Sequence, residues 1–241
     1  MQSSTYNFGS VTTIINQSYS LTVSPTVSTQ YRVLVQSGTC AVATSSPISI
    51  TLNPPGVPGT VTGGSTICAN SSSGPLDLTG SSGTITTWQY SIDGTNWNPI
   101  AGTANLITYT SGALTQTTEF RAIVQSGACL PTPSTPTTVT ATPAPNAGSL
   151  SPTSTSICQG SSETLTLTGP TAGTITNWQY SNASTGNIWT AMSPAIVATT
   201  FIASPSEDTD YRVAVDNGVC ATAYSNVSTI SVDPSISISP L

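Results

Sequence analysis

GTITTWQYS at residues 83–91 and GTITNWQYS at residues 173–181 decide the reading: they differ only at Thr87 and Asn177 and lie 90 residues apart. Both are rich in β-branched and aromatic residues, the composition of a strand half-buried on a pleated sheet. Residues two apart in a strand share a face, so Trp88 with Tyr90 and Trp178 with Tyr180 are expected to point into a core, with Gln89 and Gln179 facing out. A second anchor has the same period. YRVLVQSGTC ends at Cys40, FRAIVQSGAC at Cys129 and YRVAVDNGVC at Cys220. STICANSS, with Cys68, matches STSICQGSS, with Cys158. Two independent anchors therefore define a repeat of about ninety residues.

Pro-rich joints punctuate the repeat: PPGVPG after Asn53, PAPNAG after Thr142, and a third beginning at Pro234. Such joints are semi-rigid spacers. On this register residues 1–54 are the C-terminal part of a truncated repeat, 55–143 and 144–234 are whole repeats, and SISISPL at 235–241 starts the next. The chain reads as a window on a longer polypeptide. Within a repeat, LDLTG and LTLTG read as strand B, the WQYS runs as strand C, EFRAIV and DYRVAV as strand F, and PTTVTAT and STISV as strand G. Asn217-Gly218 is a two-residue hairpin signal. About seven short strands in ninety residues predict an all-β chain of tandem immunoglobulin-like antiparallel sandwiches. The first repeat departs from the pattern, with TIINQ at 13–17 where a WQY strand is sought.

Charge is scarce. Of 241 residues only 5% are Asp, Glu, Lys or Arg, with three cations and no His, against about 25% charged in ordinary domains. A basic groove for phosphate is absent, which excludes nucleic acid as an expected partner. Docking on anionic lipid needs basic clusters, and no apolar run reaches the roughly 20 residues of a membrane span, so no direct membrane insertion is expected. Without His or Lys there is no Ser-His-Asp relay, Schiff-base lysine or His metal centre. Lys-dependent isopeptide cross-links are excluded as well. The carboxylates Asp77, Asp93 and Glu119 have no equivalent pair in the next repeat, so glycoside hydrolysis is not supported either. No enzyme, catalytic residue, cofactor or metal is expected.

Five cysteines in a Ser/Thr-rich chain indicate an oxidising compartment. With both partners placed near one pole of each sandwich, the expected bonds are Cys68–Cys129 and Cys158–Cys220, leaving Cys40 unpaired by truncation. The rival set, Cys40–Cys68 and Cys129–Cys158, is opposed by an intervening strand of roughly 40 Å. Free thiols or a metal site are the remaining alternative. Tyr31, Phe120 and Tyr211 open strand F and are expected in the core, near the place of a tyrosine corner whose hydroxyl Phe120 lacks. Trp97 and Trp189 are expected to pack over the same core, with stacking on a sugar as the alternative. Arg32, Arg121 and Arg212 occupy one repeated position. Their stems are expected to cross the sheet toward Gln89 or Gln179, a repeated cationic binding site being the alternative. Glu207, Asp208 and Asp210 form an acidic loop, read as solvated rather than as a calcium site. Sequons at Asn16, Asn70, Asn182 and Asn226 are expected by chance in so Ser-rich a chain.

The set ST-IC, GTIT-WQYS, a second Trp, YR-V and NG-C, followed by a Thr/Val strand and a Pro joint, resembles the Ig-like repeats of giant Bacteroidetes cell-surface adhesins, the SprB-type gliding-motility proteins. The resemblance implies type IX secretion, attachment at the outer membrane, and a filament that grips surfaces or polysaccharide, with other subunits of a surface or secretion apparatus as further partners. The alternative is a set of accessory Ig-like domains in a secreted multidomain polysaccharide-degrading enzyme.

Overall fold

A computed structural model describes residues 2–4, 12–13 and 20–234; the expected start of another repeat at 235–241 lies outside the described residues. Apart from one 3-10 turn at Ala183–Thr185, its regular elements are strands. They form two tandem sandwiches of about ninety residues, preceded by a smaller sheet.

In the middle sandwich one sheet runs Thr108–Tyr109, Leu76–Thr79, Thr60–Thr62. The other runs Asn98–Ile100, Thr84–Ser91, Thr118–Gln125, Thr137–Thr142, Thr66–Cys68. The last sandwich repeats the plan, with Ser149–Ser151, Glu163–Thr168 and Thr200–Ala203 facing Ser154–Cys158, Ser228–Asp233, Thr209–Asp216, Thr174–Asn182 and Thr190–Ala191. Among the described strands all pairings are antiparallel except one in each domain: Thr66–Cys68 runs parallel to Thr137–Thr142, and Ser154–Cys158 parallel to Ser228–Asp233; an isolated bridge between Thr60 and Thr135 is parallel as well.

That parallel strand exists because the chain changes sheets. Thr60–Thr62 pairs with Leu76–Thr79, then Gly63 and Gly64 carry the backbone across to the opposite sheet. Gly63 has φ +92°, and a Cβ there would stand 2.3 Å from Pro75 O. A side chain is excluded on both counts. In the last domain the same crossing is made at Pro152 and Thr153, and Ser228 Oγ donates to Pro152 O at 2.6 Å.

Alternation along the Thr118–Gln125 and Thr209–Asp216 strands fills the two cores. Val61, Leu76, Leu78, Ile85, Trp88, Phe120, Ala122, Val124 and Val139 make the first; Leu150, Leu165, Leu167, Trp178, Tyr211, Val213, Val215 and Ile230 are among those in the second. Trp88 and Trp178 are fully buried. Each indole N–H keeps a partner, Leu106 O at 2.7 Å and Ala198 O at 2.9 Å, as a buried Trp requires. An aromatic chain continues from each: Trp88, Tyr109, Phe120 in one domain and Trp178, Phe201, Tyr211 in the other, with centroids 5.4–5.8 Å apart. The hydroxyl exchanges places between the two domains, on Tyr109 in the first and on Tyr211 in the second.

Burial pushes the Tyr211 hydroxyl up to about 12. The native state thus holds a proton that the unfolded chain releases near pH 10, so its contribution to stability is complete below pH 10 and lost as the pH rises toward 12. Tyr211→Phe is expected to weaken the alkaline destabilisation of the last domain. Denaturation at pH 9 and pH 11.5 checks this in a background with Cys40, Cys129 and Cys158 replaced by Ser, which prevents thiolate exchange. The pH dependence of the middle domain is assigned to Tyr109, whose hydroxyl burial also raises; a pH dependence of the last domain unaltered by Tyr211→Phe would contradict the assignment.

Two expectations need correction. Tyr90 is not a core residue: it is 38% exposed, because it shares Trp88's face but lies nearer the end of its strand, at the mouth between the sheets. Tyr180 is partly buried against the second core, while Tyr31 is buried. The first segment also differs from the TIINQ reading. Gln2–Ser4 takes the place of the WQYS strand, with Gln2 opposite Arg32 just as Gln89 faces Arg121 and Gln179 faces Arg212. Thr12–Thr13 pairs with it as the next strand out.

Candidate functional site at the joint between the domains

Away from the cores, each domain shows one outward-facing cluster. Arg121 Nε donates to Gln89 Oε1 at 2.8 Å, and Arg212 Nε to Gln179 Oε1 at 2.7 Å. The guanidinium of Arg121 lies 3.9 Å from the centroid of Trp97, and that of Arg212 lies 4.1 Å from Trp189. The stems therefore cross the sheet toward the glutamines, and the indoles cover them. Trp97 and Trp189 do not pack over the core, which corrects the sequence reading: they sit on the Gln89 and Gln179 face, opposite Trp88 and Trp178. Each immediately precedes a short outer strand, so their side chains have a cation rather than a second sheet to pack on. Burial lowers the pKa of both guanidinia, most of whose surroundings are aromatic or amide groups. Tyr224 stacks on the free side of Arg212 at 3.9 Å; Pro133 holds the equivalent position in the middle domain, so the second aromatic is lost there.

The joint between the two domains is closed covalently. Cys68 is bonded to Cys220, 152 residues away and in the other domain. Cys40, Cys129 and Cys158 are free thiols. The expected Cys68–Cys129 and Cys158–Cys220 pairs are thus both replaced, and the reason is that the two cysteines of one repeat stand at opposite poles of its sandwich. By running parallel to Thr137–Thr142, the Thr66–Cys68 strand carries Cys68 to the C-terminal pole of its domain, level with Thr142. Cys129 follows the Thr118–Gln125 strand, which runs the opposite way, and so stands at the N-terminal pole, 3.7 Å from Asn53 O. The two thiols of one domain face away from each other. No arrangement of side chains closes that gap.

Around the bond the contacts are backbone-rich. Ala69 N donates to Thr142 O at 2.7 Å, and Asn217 Nδ2 donates to Pro143 O at 2.8 Å. Cys220 Sγ lies 3.6 Å from Thr142 O. The hairpin holding Cys220 is shaped by Asp216, which accepts from Gly218 N at 2.5 Å and from Thr222 Oγ1 at 2.6 Å; the Thr222 bond is the main reason its carboxyl is held below the ordinary carboxylate range. Linking a span of 152 residues stabilises the folded pair by about 5 kcal/mol in the chain-entropy account.

The acidic loop is dispersed. Glu207 accepts from Ser184 N, Asp208 from Val232 N at 2.8 Å, and Asp210 from Thr229 Oγ1 at 2.6 Å. Each carboxylate accepts from a different neighbour. The sequon residue Asn226 grips Leu150 through both N–H and C=O. Open clefts recur at the mouths between the sheets. One of about 450 Å³ is lined by Tyr90, Ile92, Ile100, Tyr109, Leu114 and Phe120; its counterpart, about 550 Å³, includes Tyr180, Met192, Phe201 and Tyr211. Tyr109 and Phe201 were not singled out from sequence, because ITYT and TTFIA show little alternation. The signal that relates them is a shared offset of 12 residues from Trp97 and Trp189.

The sequence signature of a domain of unknown function, DUF8696, matches residues 57–143 and again 146–234. No functionally curated protein matches. Among solved structures, a marsupial T cell receptor is similar with TM-score 0.51 at 14% identity, over 72% of this chain and 72% of that one. Three Ig domains of titin, in an E-to-A variant, give TM-score 0.51 at 10% identity, over 86% of this chain and 75% of that one. Likeness at such identity establishes the fold, tandem Ig/FN3-like sandwiches, and leaves the ligand open. Among the described residues no helix is long and apolar enough to cross a membrane.

Proposed function

This chain belongs to the DUF8696 family, in two tandem copies, and from that premise we propose that it is a structural and adhesive repeat segment of a large bacterial cell-surface filament. Its sequence resemblance favours the gliding-motility adhesins, with type IX export and attachment at the outer membrane. Tandem Ig/FN3-like domains suit a spacer or adhesive role, and a disulfide suits an extracellular one.

The observation that carries this reading is the Cys68–Cys220 bond across the joint. Tension applied along the array enters the bond at Cys68 and leaves it at Cys220, so the strands between are relieved of it. A catalytic domain needs no such bypass; a stalk that transmits pull does. The clefts beside Tyr90 and Tyr180 supply a weak, uncharged contact repeated once per domain. Repetition converts weak contacts into retention by avidity. Surface polysaccharide is the fitting ligand class, being neutral and stackable on exposed aromatic faces.

The test is an array of bacterial and algal polysaccharides probed with the chain in solution and with beads displaying many copies. Retention of the beads at least about 100-fold above that of the single chain is expected. An absence of retention on every polysaccharide in both formats would contradict the adhesive part of the proposal.

A further inference from the structure

The three thiols that the joint leaves free are arranged as halves of the same joint. Cys129 is the repeat equivalent of Cys220, and its sulfur lies 3.7 Å from Asn53 O, where Cys220 lies 3.6 Å from the equivalent Thr142 O. Its hairpin is closed alike: Gln125 Nε2 donates to Cys129 O at 3.0 Å, as Gln36 Nε2 does to Cys40 O. Cys158 is the equivalent of Cys68. It ends a strand parallel to Ser228–Asp233, level with Asp233, and Gln159 N donates to Asp233 O at 3.0 Å, as Ala69 N donates to Thr142 O. Cys158 is exposed and Cys129 half-buried. The joints themselves are also alike, Val57 pairing with Ser82 as Asn146 pairs with Thr171.

We infer that the bond between Cys68 and Cys220 is one rung of a ladder in which the parallel-strand cysteine of each repeat is bonded to the hairpin cysteine of the repeat that follows. Cys158 is the acceptor for a following repeat of the same kind, while Cys129 and Cys40 are hairpin donors for repeats that precede theirs. No repeat then carries an internal disulfide. Every repeat is held at both poles, and an array so laced cannot be pulled apart domain by domain. This inference rests on the joint's geometry and not on the adhesive reading.

The chemistry balances by thiol–disulfide exchange with a small disulfide such as oxidised glutathione. One cysteine thiolate attacks it and releases a glutathione thiolate. The second cysteine thiolate then displaces the other glutathione, so two protein thiols are oxidised and one external disulfide is reduced to two thiols.

The experiment appends a second copy of residues 144–234 directly after Pro234 of the chain, oxidises the protein with a glutathione couple, and identifies bonded and alkylated cysteines by mass spectrometry. The expected result is a new bond between Cys158 and the appended copy's equivalent of Cys220, with Cys68–Cys220 retained. Alkylation of Cys158 together with the appended hairpin cysteine would overturn the ladder. A second measurement needs only the original chain. In Cys68→Ser, Cys220 is expected to become a free thiol, because Cys158 stands at the far pole of the same domain; formation of Cys158–Cys220 in that variant overturns the inference equally.

Discussion

Stretched by its ends in a single-molecule force instrument, the oxidised chain is expected to extend about 500 Å less than the reduced chain. The 152 residues between Cys68 and Cys220 are bypassed by the bond, and an extended chain spans roughly 3.3–3.6 Å per residue. Cleaving the bond in the chain already unfolded under tension should release that length in one event. Separate bonds within each domain would instead hide two lengths of about 200 Å each, and no difference on reduction would mean no bond at all. Only the outer parts of the sandwiches, including the Thr60–Thr62 strand and the Ser228–Asp233 strand, remain in the path of the force when the bond is closed.

Trp88→Ala is expected to cost about 3–5 kcal/mol and to unfold the middle domain well before the last one, as removal of a large buried side chain leaves a cavity. The indole is fully buried, and its loss also orphans the carbonyl of Leu106. Trp97→Ala is expected to cost under about 1 kcal/mol, since its contact is a half-exposed stack on Arg121. Chemical denaturation of each variant, followed by circular dichroism, measures both. Equal effects would mean that the two tryptophans had been assigned to the wrong faces of the sheet.

The contrast between these tryptophans shows what the sequence carries and what it does not. A two-residue period in WQYS and a six-residue run such as DYRVAV encode the side of the sheet each residue occupies, so the fold and the buried Trp88 and Trp178 are legible locally. Trp97 and Trp189 lie just before short outer strands without such a run, and their partner is a cation 24 or 23 residues away in sequence. Arg121 and Arg212 could be placed against Gln89 and Gln179 because both ends of that contact repeat. Tyr90 obeyed the alternation but failed as a core residue, because alternation does not say where a sheet ends.

Disulfide connectivity was the hardest feature to read, for a topological reason. Cys68 placed at the start of the opening strand would stand near Cys129 at one pole. Cys68 instead ends that strand, which crosses between sheets at Gly63-Gly64 but keeps its direction, from Thr60 beside Thr135 at the N-terminal pole to Cys68 beside Thr142 at the C-terminal pole. The glycine pair was visible, but a pair of glycines marks a turn or a crossing without saying which. Cysteines at a fixed period fit bonds within repeats as well as between them, and only the direction of one three-residue strand distinguishes the two.

Tryptic digestion without reduction, after alkylation of free thiols, tests that distinction most directly. Cleavage at Arg32, Arg121 and Arg212 places Cys68 in peptide 33–121, Cys129 and Cys158 in 122–212, and Cys220 in 213–241. A bond across the joint predicts that 33–121 and 213–241 travel together while 122–212 is released alone with both of its cysteines alkylated. Peptide 122–212 joined to both of the others would contradict it.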